Sequence, residues 1–256
     1  MCDLDGVVYR GSTGIPGVPE AIERFRRAGT KIVFCTNNSR PTVAEYVERL
    51  ARFGITIAPE EIVTSAVVTG EVLASRGMAG ASALVIGGDG IREALSAAAM
   101  EVIDDPDPHA PDVVVVGIDP NFTYETMKRA AMAVRAGAVL IATNDDATFP
   151  AAEGLWPGAG AILASIETAS GVRAEVMGKP HPSMMEVVAR RLDGAQNVAI
   201  VGDRAETDLA AGAARGWTTI LVLSGVVTHG EAAAVTPTPD LIVDSLADLP
   251  ARLLDQ

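Results

Sequence analysis

The sequence predicts an α/β protein in which a doubly wound parallel sheet is interrupted by an inserted second α/β region. Three observations predict it. Apolar, β-branched runs alternate with amphipathic segments along most of the chain. Short connections join them, as in right-handed strand–helix–strand crossovers. Hydrophobic residues make up 48% of the 256 residues but aromatics only 4%. The core is therefore Ala, Val, Ile and Leu, which suits an α/β architecture better than a sandwich.

The chain opens on Met1-Cys2-Asp3-Leu4-Asp5-Gly6, read as a strand end followed by a turn at Gly6. A strand usually runs about 5–6 residues, yet only two residues precede Asp3. Either this strand is unusually short or the true start lies upstream. The second reading is favoured, and restoring upstream residues is then expected to raise the melting temperature. Residues 19–29 read as an amphipathic helix closed by Gly29. Residues 31–37 are a buried parallel strand, and 41–54 a helix opening on Pro41 and closing on Gly54. A second series follows, with strands at 83–87, 113–117 and 138–143 and helices near 90–99 and 123–136. Residues 104–112 form a Pro/Asp loop, and 158–171 a helix ending at Gly171. The last series is helix 181–192, strand 197–203, helix 207–216, strand 218–225, and a short strand and helix over 240–254.

Net charge is −13, and no basic run exceeds two residues. Neither nucleic acid nor anionic membrane is therefore expected as a partner. No signal peptide or span of about 20 apolar residues occurs, and Val113–Val116 reads as a buried strand. Cys2 and Cys35 belong to no CxxC pair, which fits a reducing cytoplasm and a packing role for both. Neither has a sequence-adjacent His to make it a catalytic thiol.

Four stretches carry chemistry. Asp3 and Asp5 share one face of a strand end, where two carboxylates are costly unless they bind a cation or react. Asp3 is the expected nucleophile of an aspartyl-phosphate mechanism, and Asp5 the general acid and base. Thr36 and Asn37 end the second strand, placed to bind phosphoryl oxygens; Thr-Asn there is otherwise ordinary turn chemistry. Lys179, between Gly178 and Pro180, is either a fixed charge for phosphate and Asp3 or a solvated loop lysine. Asp203 follows an apolar strand and is the expected ligand of Mg²⁺, with Asp3 and the backbone carbonyl of Asp5. Asp208 either anchors a metal-bound water or caps the helix beginning near Leu209. All stand at carboxyl ends of parallel strands, where open α/β sheets bind ligands.

In DLDGVVY (3–9), FCTNNS (34–39), GKPHP (178–182) and VGDRAETD (201–208) the chain resembles the haloacid dehalogenase-like (HAD) superfamily. The likeness is nearest to the para-nitrophenylphosphatase-like branch, which includes nucleotide, phosphoglycolate and glycerol-3-phosphate phosphatases. TNDDATFP (143–150) and PGAGA (157–161) look like that branch too. The resemblance implies a Rossmann-like core, a Mg²⁺ requirement and the roles above.

Spacing places the insert. Asp5 and Thr36 are about 30 residues apart, room for one turn and one helix, whereas Thr36 and Lys179 are about 140 apart, several times one crossover. The expected core is 1–70 plus 177–256, with 71–176 inserted between the second and third motifs, which the family calls a C2-type cap. A mutase of this superfamily usually carries its cap in the first gap, and a dehalogenase has no need of Asp5. A cap excludes water and large substrates, so small phosphomonoesters such as glycerol 3-phosphate, 2-phosphoglycolate or a nucleoside monophosphate are expected. A phosphoacceptor module and a phosphotransferase would use much of the same set; Asp5 and the large insert argue for turnover. A homo-oligomer paired through a cap sheet edge stays open. Asn144, Asp145 and Gly158–Gly160 are candidate substrate contacts, with an Asx turn and a helix start as alternatives. His109 reads as solvated, His181 as a helix start, His229 as partnerless, and Trp156 as packing or cap rim.

Overall fold

The computed structural model describes residues 1–104, 111–151 and 154–255, so His109 and most of the Pro/Asp loop lie outside the described residues. The chain divides into two compact units, one formed by residues 1–36, 44–63 and 179–256, the other by 37–43 and 64–178.

The first unit holds a six-stranded sheet. Its order is Leu241–Val243, Thr218–Val222, Ala199–Gly202, Cys2–Asp3, Phe34–Thr36 and Ile62–Thr64. Cys2–Asp3 pairs in parallel with both neighbours, placing Cys2 opposite Val201 and Asp3 opposite Cys35. The next two pairings outward are also parallel. A central strand of two residues is therefore flanked on both sides. Helix Val18–Arg27 starts beside Pro19 and carries Arg24, Arg26 and Arg27 in its last turn, each placed to suit the helix dipole. It buries Val18, Ala21 and Ile22. Helix Val43–Arg52 buries Tyr46 and Leu50.

The second unit repeats the plan with a five-stranded sheet in the order Glu175–Val176, Val139–Ala142, Val113–Val116, Ser82–Ile86 and Glu101–Ile103. All four pairings are parallel. Val114, Val116, Leu84 and Leu140 form its core with Ala130, Ala133 and Val134 from helix Tyr124–Arg135 and Leu163 and Ile166 from helix Ala159–Ser170. Thr148–Ala151 and Gly154–Pro157 make a small antiparallel hairpin.

The differences from expectation have local causes. The strand expected at 31–37 narrows to Phe34–Thr36. Strand Ile62–Thr64 and helix Ser65–Ser75 are additional elements. That helix buries Ser65, Ala66, Val68, Thr69, Gly70 and Leu73, a mix of small, polar and apolar residues that leaves no clean apolar stripe of 3.6-residue period in its sequence. Thr64 caps it by accepting from the Val67 amide at 3.1 Å. The helix expected at 207–216 instead starts as a π-helical turn, Ala205–Leu209, and continues as Ala210–Arg215. No helix among the described residues is long and apolar enough to cross a membrane.

Candidate active site

Three segments of the first unit bring the acidic residues together. Asp3 ends the central strand, Asp203 follows the neighbouring strand Ala199–Gly202, and Asp208 closes toward them on the π-helical turn. One carboxylate oxygen from each lies within 4.8 Å of the others, and all three residues are buried. Lys179 is 2% exposed, which overturns the solvated-loop alternative. Its Nζ donates to Asp3 Oδ1 at 2.5 Å and to Asp208 Oδ1 at 2.7 Å.

Backbone amides hold two further carboxylate oxygens. Asp208 Oδ2 accepts from the Arg204 amide at 3.2 Å, so Asp208 is committed to Lys179 and to the turn before it, not to the N-terminus of the following helix. Asp203 Oδ2 accepts from the Val226 amide at 2.9 Å. Glycines make room for these carboxylates. Gly6 has φ of 80°, and a Cβ there would strike the Asp203 carboxylate; one at Gly225 would do the same. Only glycine meets both demands at Gly6. Ser224 Oγ donates to the Gly6 carbonyl at 2.7 Å, and Arg10 Nε donates to the Ser224 carbonyl.

The charges oppose one another. Burial alone would strip Lys179 of its proton, but Asp208 and Asp3 outweigh it and hold the ammonium well above its usual range. Burial pushes Asp3 up, Lys179 pulls it back, and Asp208 and Asp203 add to the push. Burial, helped by Asp208, lifts Asp203 to about 7. Asp3 and Asp203, buried among like charges with one ammonium, resist full ionisation until another cation arrives. An all-oxygen donor set with surplus negative charge fits a hard divalent cation such as Mg²⁺. Cys2 and Cys35 are free and buried, and burial pushes each thiol up to about 12, so neither is a nucleophile at neutral pH.

Asp5 stands apart from the three-carboxylate cluster. Its Oδ2 accepts from the Tyr9 hydroxyl at 3.3 Å. Burial raises its pKa, against the pull of Arg49 and the Tyr9 hydrogen bond, which favours the protonated form a general acid needs. Thr36 is buried at its strand end and hydrogen-bonded to Tyr46.

The chain passes from the first unit to the second between Thr36 and Asn37. Within the second unit, Asn37 Nδ2 donates to the two Asp146 oxygens at 3.3 and 3.2 Å. Its carbonyl accepts from Asn144 Nδ2 at 2.8 Å and Ser65 Oγ at 2.6 Å. Asn144 is thus buried as an anchor for Asn37, and its Oδ1 accepts from the Asp146 amide at 3.2 Å, the Asx-turn alternative. Asp145 is exposed. Gly158 precedes helix Ala159–Ser170, and a Cβ at Gly158 or Gly160 would strike the backbone carbonyl of Asp146 or Asp145. The His229 reading is corrected: its Nε2 lies 2.8 Å from Asp244 Oδ1. His181 stands at the start of helix Pro182–Leu192, as expected. Trp156 is 46% exposed and edge-on to Phe149 with centroids 6.0 Å apart.

Sequence reasoning missed the residues behind the motifs. Tyr9 lies inside DLDGVVY without a role there, and Tyr46 and Arg49 are ordinary members of an amphipathic helix. Gly225 and Val226 sit at the end of an apolar strand whose closing glycine was the one available signal.

Two family descriptions match the chain: haloacid dehalogenase-like hydrolase over residues 1–101 and HAD-hydrolase-like over 176–249. Human chronophin is 37% identical over 275 aligned positions, covering 100% of this chain and 93% of its own. Among solved structures, a p-nitrophenyl phosphatase from Archaeoglobus fulgidus superimposes with a TM-score of 0.91 at 33% identity, covering 99% of this chain and 98% of the other. A glycerol phosphate phosphatase from Mycobacterium tuberculosis, in complex with magnesium, gives 0.88 at 32% identity, covering 97% and 75%.

Proposed function

Since this chain belongs to the haloacid dehalogenase-like hydrolases, in their p-nitrophenylphosphatase-like branch, we propose that it is a Mg²⁺-dependent phosphatase of small phosphomonoesters working through an aspartyl-phosphate. The observation that carries this reading is the buried cluster of Asp3, Lys179, Asp203 and Asp208. Residues 1–70 and 177–256 would form the catalytic core and 71–176 the cap.

Asp3 attacks phosphorus through Oδ2 while Lys179 engages Oδ1. The P–Oδ2 bond forms as the ester P–O bond breaks. Asp5 gives its proton to the departing alkoxide. In the second half, Asp5 takes a proton from water, the water oxygen bonds to phosphorus, and the P–Oδ2 bond breaks. Inorganic phosphate leaves and both carboxyl groups return to their starting state. Two carboxyl groups in different surroundings, one tied to an ammonium and one to a tyrosine, suit these two roles. Thr36 and Asn37 bind the non-reacting phosphoryl oxygens, and Lys179 offsets their charge. Asp3, Asp203 and the Asp5 carbonyl would hold Mg²⁺, with Asp208 in support. When bound, the ion supplies charge stabilisation to the phosphoryl oxygens and offsets the surplus of the carboxylates.

The test is phosphate release from p-nitrophenyl phosphate, glycerol 3-phosphate, 2-phosphoglycolate and a nucleoside monophosphate, with Mg²⁺ and with EDTA. Release that requires the metal is expected, and the rank of kcat/KM assigns the substrate. A folded protein that releases nothing from any ester refutes the proposal.

A further inference from the structure

Behind Asp5 stands a chain of contacts that the mechanism above leaves unused. Tyr9 is fully buried, with its ring 5.5 Å from that of Phe53. The Gly6 amide donates to the Tyr9 carbonyl at 2.8 Å, which folds the turn so that the Tyr9 hydroxyl meets Asp5 Oδ2 at 3.3 Å. That distance is long for an O–H···O bond, as catalytic contacts often are before substrate binds. The Arg49 guanidinium lies against the same tyrosine. Its Cζ lies 5.5 Å from the Tyr9 ring centre and 5.7 Å from that of Tyr46, within cation–π range. Tyr46 in turn bonds Thr36. Burial keeps the Tyr9 hydroxyl protonated well above the usual tyrosine range, so it acts as a donor. Tyr46 and Arg49, three apart, are neighbours on one helix face, and that face reaches both Asp5 and Thr36.

We propose that Tyr9 and Arg49 are positioning residues that aim the Asp5 carboxyl group for proton transfer to the leaving oxygen. Arg49, stacked on the Tyr9 ring, holds that ring in place, and the hydroxyl fixes one Asp5 oxygen and leaves the other to serve the ester. The role rests on the phosphatase reading and adds a requirement to it. A departing alkoxide needs the proton, whereas p-nitrophenolate is stable without one. In kcat/KM, which reports the steps up to departure of the leaving group, loss of aim therefore falls on alkyl esters and spares the nitrophenyl ester; the later hydrolysis of the phosphoenzyme, where Asp5 serves both esters alike, does not enter it. A merely structural role would lower both together.

The experiment compares kcat and KM for glycerol 3-phosphate and p-nitrophenyl phosphate in the wild type, Tyr9→Phe, Arg49→Met and Arg49→Lys. Tyr9→Phe keeps the ring and removes only the hydroxyl, and thermal melts confirm folding. Tyr9→Phe and Arg49→Met are expected to lower kcat/KM on glycerol 3-phosphate about tenfold, part of the roughly 10²–10⁴-fold that general acid catalysis supplies. kcat/KM for the nitrophenyl ester should change far less, and Arg49→Lys should recover most of the loss. Equal losses on both esters, or no loss on either, overturn the positioning role while leaving the phosphatase intact. A wild type inactive on both overturns the phosphatase reading and this role with it.

Discussion

The two units share an architecture and differ in what stands at the ends of their strands. Each is a parallel sheet with helices packed on it. Among the described residues, the four buried charged side chains, Asp3, Lys179, Asp203 and Asp208, all lie in the first unit. Among its described residues, the second unit buries only neutral polar groups, such as Asn37, Ser39, Ser65, Thr143 and Asn144. After its apolar strands come Gly87, Gly117 and Thr143 where the first unit has Asp203. A fold of this kind supplies a place for chemistry, and the residues at the carboxyl ends decide whether any occurs.

The sharpest way to break this contrast is to neutralise one charge. Asp3→Asn should lower turnover by roughly 10⁴-fold or more, the order seen when a nucleophile is removed. Circular dichroism should show the fold intact, and substantial residual turnover would refute the role of Asp3. Removing the cation instead should damage the fold as well. Lys179→Met leaves buried carboxylates without their partner, a loss of about 3–5 kcal/mol that urea titration would register. A neutral effect would mean the cluster tolerates its own charge. Adding the missing positive charge should do the opposite. Mg²⁺ at about 100 times its Kd should stabilise the wild type by about 2.7 kcal/mol and Asp203→Asn by much less. An equal rise in both melting temperatures would place the ion elsewhere. The smallest effect belongs to the second unit. Ser39 Oγ and Thr143 Oγ1 are 2.9 Å apart in its interior. Ser39→Ala should cost about 1–3 kcal/mol by leaving Thr143 unpaired while kcat/KM stays as it was. A large fall in kcat/KM there would erase the contrast.

Strong, isolated patterns were legible in the sequence. Ile200, Val201 and Gly202 before Asp203, and Val113–Val116, announce buried parallel strands, and the alternation along the chain gives the α/β class. The three-carboxylate cluster with Lys179 followed because each member stands at an expected strand or turn end. Helix Ser65–Ser75 was illegible because its buried side includes Ser65, Thr69 and Gly70 beside the apolar residues, so hydropathy sets no period along it. The His229–Asp244 pair joins residues on separate loops, which no local pattern records. Tyr9, Tyr46 and Arg49 were visible only as an aromatic in a motif and two positions on an amphipathic helix. Their meeting around Asp5 depends on how that helix packs against the Gly6 turn, which is a tertiary fact. Asn144 stayed open between a substrate contact and an Asx turn because a buried amide and a binding amide are the same residue in sequence; the structure gives it the turn bond to the Asp146 amide.

The central claim is that Asp3 carries the phosphoryl group. The most direct measurement is to quench the Mg²⁺-loaded protein in acid during turnover of p-nitrophenyl phosphate, reduce it with borohydride, and read the N-terminal peptide by mass spectrometry. An acyl phosphate reduces to the alcohol, so the account predicts homoserine at position 3 in the wild type and none in Asp3→Asn. Active turnover with position 3 unmodified, or reduction at another carboxylate, would contradict it.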